Sequence, residues 1–196
     1  MSVAAYAEAL YGTNPNTVTK DLVSATLNYI KASSTYFGVA ADLSDINRLL
    51  AAYPATSATI PTAEKSSTAL DSYISGVQLD VLSSLKFRFT LVSGASVSDV
   101  KFTVNGKEID YKRSASYLEI ELAAYEMADT ITITISGKSV TYNLAAYFTS
   151  AKNLATSSLS TALGRRCYAL FDESRGNLAG AMYAYSLAAR AYRPVL

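Results

Sequence analysis

Residues 22–37 read LVSATLNYIKASSTYF, and residues 178–192, near the other end of the chain, read LAGAMYAYSLAARAY. Setting Leu22 on Leu178 also sets Ala25 on Ala181, Tyr29 on Tyr185, Ala32 on Ala188 and Tyr36 on Tyr192. In each copy Leu, Ala and Tyr stand at i, i+3 and i+7, with a further Tyr at i+14. That spacing marks one face of a helix with about 3.6 residues per turn. Alanine and serine between the tyrosines allow two such helices to approach closely. The expected fold is therefore α+β: a helical layer from both chain ends, packed with an inserted antiparallel β module, either a small sandwich or a sheet.

The expected organisation is N-terminal helices over 1–53, an extended linker over 54–75, the β module over 76–142 and C-terminal helices over 143–196. In the first part, Val3, Tyr6 and Leu10 stand at helical spacing behind Ser2 as a cap, with Gly12 as a stop. A second helix runs from about Thr17 to Phe37 and ends at Gly38. Asp42 or Ser44 caps a third, which carries Ile46, Leu49 and Leu50 and stops before Pro54. The Ser/Thr/Ala-rich run YPATSATIPTAEKSSTA has two prolines and no apolar period, as expected of a surface connection.

Beyond it the period changes to two. Phe87, Phe89 and Leu91 alternate with Lys86, Arg88 and Thr90; Leu118, Ile120 and Leu122 alternate with Tyr117, Glu119 and Glu121; Ile131, Ile133 and Ile135 alternate with threonines. Such alternation belongs to antiparallel strands with one wet face, and about six are expected. Asn105-Gly106 is a strong hairpin signal, because a type I′ turn needs positive φ at both central residues. A two-residue loop there pairs Val104 with Lys107, Thr103 with Glu108 and Phe102 with Ile109. Ser136-Gly137 likewise pairs Ile133 with Val140 and Ile131 with Tyr142. The helical period then returns in a helix ending near Thr156. A further helix from Ser157 or Ser158 carries Leu159, Leu163, Cys167, Leu170 and Phe171, and a last one runs from Leu178 to Tyr192, ended by Pro194.

Composition excludes more chemistry than it suggests. The chain has 196 residues, half of them hydrophobic, and a formal charge of +1, which gives no footprint for nucleic acid. No apolar run approaches the roughly 18 residues of a membrane span, and the opening MSVAAYAEALYG is not expected to be a signal peptide. That leaves a cytoplasmic protein or an excised piece of a secreted one. With no histidine and one cysteine, Cys167, Ser-His-Asp and Cys-His catalysis are ruled out, as are His-ligated and cysteine-cluster zinc sites. No phosphate loop or calcium-loop spacing is present. No catalytic residue, metal or cofactor is expected.

Two features are left for function. Glu119 and Glu121 stand two apart on one strand, so both are expected to face water on one side, and as paired carboxylates they are the remaining route to a glycoside-type hydrolase. The pair also fits a wet charged face paired across strands with Lys86 and Arg88, the preferred reading because glycosidase acids need a cleft that splits their pKa values. Among 15 tyrosines, Tyr29, Tyr36, Tyr185 and Tyr192 belong to the packed stripe, whereas Tyr117 shares the parity of the outward residues. An exposed ring there would either stack on a sugar, with Arg88, Glu119 and Glu121 as neighbouring ligand contacts, or be one more surface tyrosine, the reading that single exposed apolar residues favour.

The run TKDLVSATLNYIKASSTYFG resembles a motif recurring in surface and secreted proteins of gut Clostridia and Ruminococcus relatives, a Leu-Val-x-Ala-Met/Leu-Leu-x-Tyr-Gly helix ending in Tyr-Phe. The likeness continues in order through LKFRFTL, FTVNGKEI, ITISGKSVTYNLAAYF and MYAYSLAARAY, covering nearly the whole chain. Ile30 stands where glycine is usual, and the 157–176 region is longer than typical. The resemblance implies an extracellular or cell-wall-attached module beside neighbouring domains of a larger protein, and no known activity; the near-neutral composition without a catalytic constellation makes a non-catalytic structural role the expectation. Polysaccharide or another surface protein is then the expected outside partner, with neither nucleic acid nor membrane insertion. No functional residues are assigned in that family, so none carry over.

Overall fold

A computed structural model describes residues 2–40, 42–81 and 84–193. The chain divides into two units, one of Met1–Pro61 with Ser150–Leu196 and one of Thr62–Thr149. The boundaries thus fall at 61/62 and 149/150, the second inside a helix.

The first unit is helical. Helix α1 (Val3–Gly12) starts at Ser2, whose hydroxyl accepts from Ala5 N, and α2 (Thr17–Phe37) starts at Asn16, which accepts from Thr19 N. Gly38 closes α2 at φ +64°, a left-handed position where any other side chain would be strained. Helix α3 spans Ser44–Ala52. Helix α4 (Leu144–Ser157) ends in this unit, followed by α5 (Ala162–Phe171) and α6 (Leu178–Tyr192).

The repeated stripe does the packing expected of it. Ala32 of α2 is buried with Leu178 and Ala181 of α6, and Tyr29 and Tyr36 pack against them. The rings of Tyr29 and Tyr185 stack with centroids 5.5 Å apart and planes 5° from parallel. Burial raises the pKa of both phenols, with each ring beside the other.

Three local expectations are corrected. In α1 the buried residues are Ala4, Ala7 and Tyr11, while Val3 and Tyr6 are exposed. The inner face is set by Tyr11, which stacks on Tyr53 at 3.9 Å and whose hydroxyl hydrogen-bonds Ser24 at 2.6 Å. Helix α3 has Leu43 at its cap, without a side-chain bond; Asp42 accepts from Ser44 N one step too early to cap the helix. Helix α4 continues through Ser157, and α5 begins only after Thr161, whose hydroxyl accepts from Gly164 N at 3.0 Å. Leu159 and Leu163 are exposed as a result, and Cys167 alone of the expected stripe is fully buried, against Ala151 and Ala155. The expected stop at Pro194 lies outside the described residues.

The second unit is a β-sandwich, with eight strands among the described residues. Sheet one holds, in spatial order, β1 (Ile74–Asp80), β2 (Leu85–Leu91), β6 (Tyr117–Leu122) and β5 (Lys112–Arg113). Sheet two holds β4 (Lys107–Ile109), β3 (Lys101–Val104), β7 (Ile131–Ile135) and β8 (Lys138–Tyr142). All pairings are antiparallel. Lettered in sequence order, with β4 as C′, these strands lie in space as A-B-E-D in one sheet and C′-C-F-G in the other, the connectivity of immunoglobulin-like sandwiches.

Both hairpins form in the expected register. Their central residues have positive φ, at Asn105 and Gly106 in one and at Ser136 and Gly137 in the other. The inward rings of the two sheets meet in the core, Phe89 lying 5.5 Å from Phe102 and 6.0 Å from Tyr142.

The supposed linker is part of this unit from Thr62 onward. Ala63 N donates to Thr149 Oγ1, Ser66 exchanges hydrogen bonds with the Thr141 backbone, and Leu70 is buried. Its Ser/Thr side chains and backbone pair with the open edge of β8, which satisfies polar groups that period-based reading leaves unassigned.

Candidate functional site

The outer face of the first sheet is built by register. Across β2 and β6, Lys86 stands opposite Glu121, Arg88 opposite Glu119 and Thr90 opposite Tyr117. On the far side of β6, Lys112 stands opposite Glu119, and on the near side Gln78 of β1 stands opposite Arg88. The four sequence-predicted residues, Arg88, Tyr117, Glu119 and Glu121, are therefore brought to one face by two adjacent strands.

Their environments differ. Arg88 donates twice to one oxygen of Glu119, from Nη2 at 2.6 Å and from Nε at 3.0 Å, and its guanidinium lies 4.5 Å from the centre of the Tyr117 ring. The Glu119 hydrogen bonds, more than any other influence, raise the Arg88 pKa above its ordinary value. The expectation that both glutamates face water is corrected for Glu119, whose side chain is only 8% exposed, while Glu121 is exposed. A two-residue period assigns a face, not a depth; Glu119 is covered because cationic neighbours stand on both sides of it. Tyr117 is half-buried, with one ring face taken by Arg88.

Beside this cluster lies a cleft of about 460 Å³ that sequence reading did not anticipate. Residues Lys107 to Lys112, which leave sheet two along β4 and enter sheet one at β5, form one wall; Glu119 and Glu121 form the other. Within that wall Tyr111 keeps 36% of its surface exposed, and its ring leans on Phe102 with centroids 5.5 Å apart. Glu108 is paired with Lys101 at 2.7 Å. The only sequence signal for this wall was the DYKR run after a three-residue strand, too short to show a period.

Among the described residues no group of His, Cys, Asp or Glu is arranged to hold a metal ion. No helix among them is long and apolar enough to cross a membrane. Chemically, the face offers carboxylate acceptors, ammonium donors and aromatic rings, a set suited to hydrogen bonding and stacking. No family model matches the chain, and no curated protein or solved structure is significantly similar to it.

Proposed function

We propose that the chain is a non-catalytic structural module of a bacterial cell-surface or secreted protein, one that presents neighbouring domains of a larger chain. The observation that carries this reading is the use the protein makes of its own outer sheet face. Glu119, one of the two carboxylates a hydrolase would need, is buried against Arg88, and Arg88 in turn covers Tyr117. A charge held in this way stiffens the face, because moving Arg88 away leaves the covered Glu119 carboxylate without its partner. The immunoglobulin-like strand order agrees with a presenting role, as analogy of fold only. The extracellular setting rests on the sequence resemblance.

A second reading, polysaccharide recognition added to presentation, is favoured by the cleft beside Glu119 and Glu121. Incubating the purified chain with plant, mucin and bacterial-wall polysaccharides should release no new reducing ends. Release that disappears in Glu121→Gln would overturn the non-catalytic reading. Protease shaving of intact cells should remove the protein, and its protection inside the cell would overturn the surface assignment.

A further inference from the structure

We infer that the cleft between the Lys107–Lys112 wall and Glu119/Glu121 is a binding site for a neutral glycan chain, with Tyr111 rather than Tyr117 as its aromatic platform. The inference rests on the recognition reading above and moves its site off the open sheet face. At about 460 Å³ the cleft lies within the range of small-ligand sites, about 300–1,000 Å³.

The lining charges select the ligand class. Of the four carboxylates, Glu119 is answered by Arg88 and Glu108 by Lys101. Lys107 and Lys112 are the lining's own cations, so with Arg88 and Lys101 just outside it the four carboxylates are matched by four positive charges. A charged polymer would leave an excess on one side of the cleft. A sugar hydroxyl is both donor and acceptor, and finds carboxylate oxygens and ammonium groups without bringing a charge of its own. Ile109 and the Tyr111 ring supply apolar surface for the C–H face of a pyranose. Tyr111 is held by Phe102 yet remains more than a third exposed, so little conformational freedom is lost when a ligand meets it. Tyr117 already has Arg88 over its ring. An extended peptide fits less well: β4 has three residues and β5 two, too little edge to seat an added strand.

Calorimetric titration of the full chain with neutral cello-, xylo-, manno- and galacto-oligosaccharides tests this. Saturable binding to at least one series is expected, weakened by about tenfold or more in both Tyr111→Ala and Glu121→Gln and unchanged in Tyr6→Ala on the helical unit. Glu121 is exposed, so Glu121→Gln separates lost contacts from lost folding, and thermal melting of each variant checks this directly. Binding that persists in either cleft variant, or that falls in Tyr117→Ala alone, overturns the cleft while leaving recognition standing elsewhere on the protein. No binding to any series overturns both.

Discussion

Replacing Gly164 with alanine should destabilise the protein, against the usual effect of that exchange in a helix. Gly164 lies in the first turn of α5, where alanine would ordinarily gain about 0.5–1 kcal/mol through restricted backbone freedom. A β-carbon there, however, would fall inside the contact radius of the Ser158 carbonyl and 3.0 Å from Leu159 N. These are backbone atoms and cannot swing aside. Ser158 O also accepts from Thr161 N at 2.9 Å and from the Thr161 hydroxyl at 2.7 Å, and that same hydroxyl caps Gly164 N. Withdrawing the turn therefore weakens the cap, worth about 1 kcal/mol, in addition to an overpacking cost of about 1–3 kcal/mol. The propensity gain recovers only part of this, leaving a net loss of about 2 kcal/mol. For a chain of this length that corresponds to a fall of roughly 4–8 °C in Tm. Circular dichroism melting of Gly164→Ala beside Gly12→Ala is the assay. Gly12 closes α1 with nothing within 4 Å of the added carbon, so its exchange should hold or raise Tm. A Gly164→Ala protein that melts at or above the parent would refute the reasoning.

A double-mutant cycle on Tyr29 and Tyr185, through urea unfolding of both Leu variants and their combination, should return a coupling of about 0.5–1.5 kcal/mol; zero coupling would mean the stacked rings contribute area alone. Burial, with Tyr147 as the next influence, holds the Tyr142 phenol well above its ordinary value of 10.0. Because the folded value is the higher one, the neutral phenol contributes in full below about pH 10, and its contribution is lost as pH climbs from there toward the folded value. Urea stability of Tyr142→Phe should therefore decline less steeply in alkali than the parent's, and identical slopes would contradict the burial argument.

The hairpins were legible because two independent signals agree. Asn105-Gly106 and Ser136-Gly137 demand left-handed backbone, and the flanking alternation fixes which residues face inward. The stripe on α2 and α6 was legible because it is written twice. The start of α5 was not, since Thr156, Ser157, Ser158, Ser160 and Thr161 are all cap-forming residues and only the packing of Cys167 against Ala151 and Ala155 selects among them. In α1, an alanine-rich helix offers two faces of similar hydrophobicity, and Tyr11 chooses one through Tyr53 and Ser24. At the site, the sequence places Arg88, Tyr117, Glu119 and Glu121 on one face, but the burial of Glu119 follows from cross-strand register. The Tyr111 wall exists only because the chain changes sheets between Ile109 and Lys112, which no local pattern encodes.

The stacking of α2 on α6 also has a consequence for synthesis. A ribosome delivers α2 before the sandwich and α6 after it. The sandwich is a contiguous stretch and can complete its core while the chain is still growing. The tyrosine stripe of α2 must wait, its Tyr29 and Ala32 uncovered until Tyr185, Leu178 and Ala181 leave the exit tunnel. The helical unit thus closes after the sandwich, and a stalled or truncated chain lacking α6 would leave that stripe uncovered.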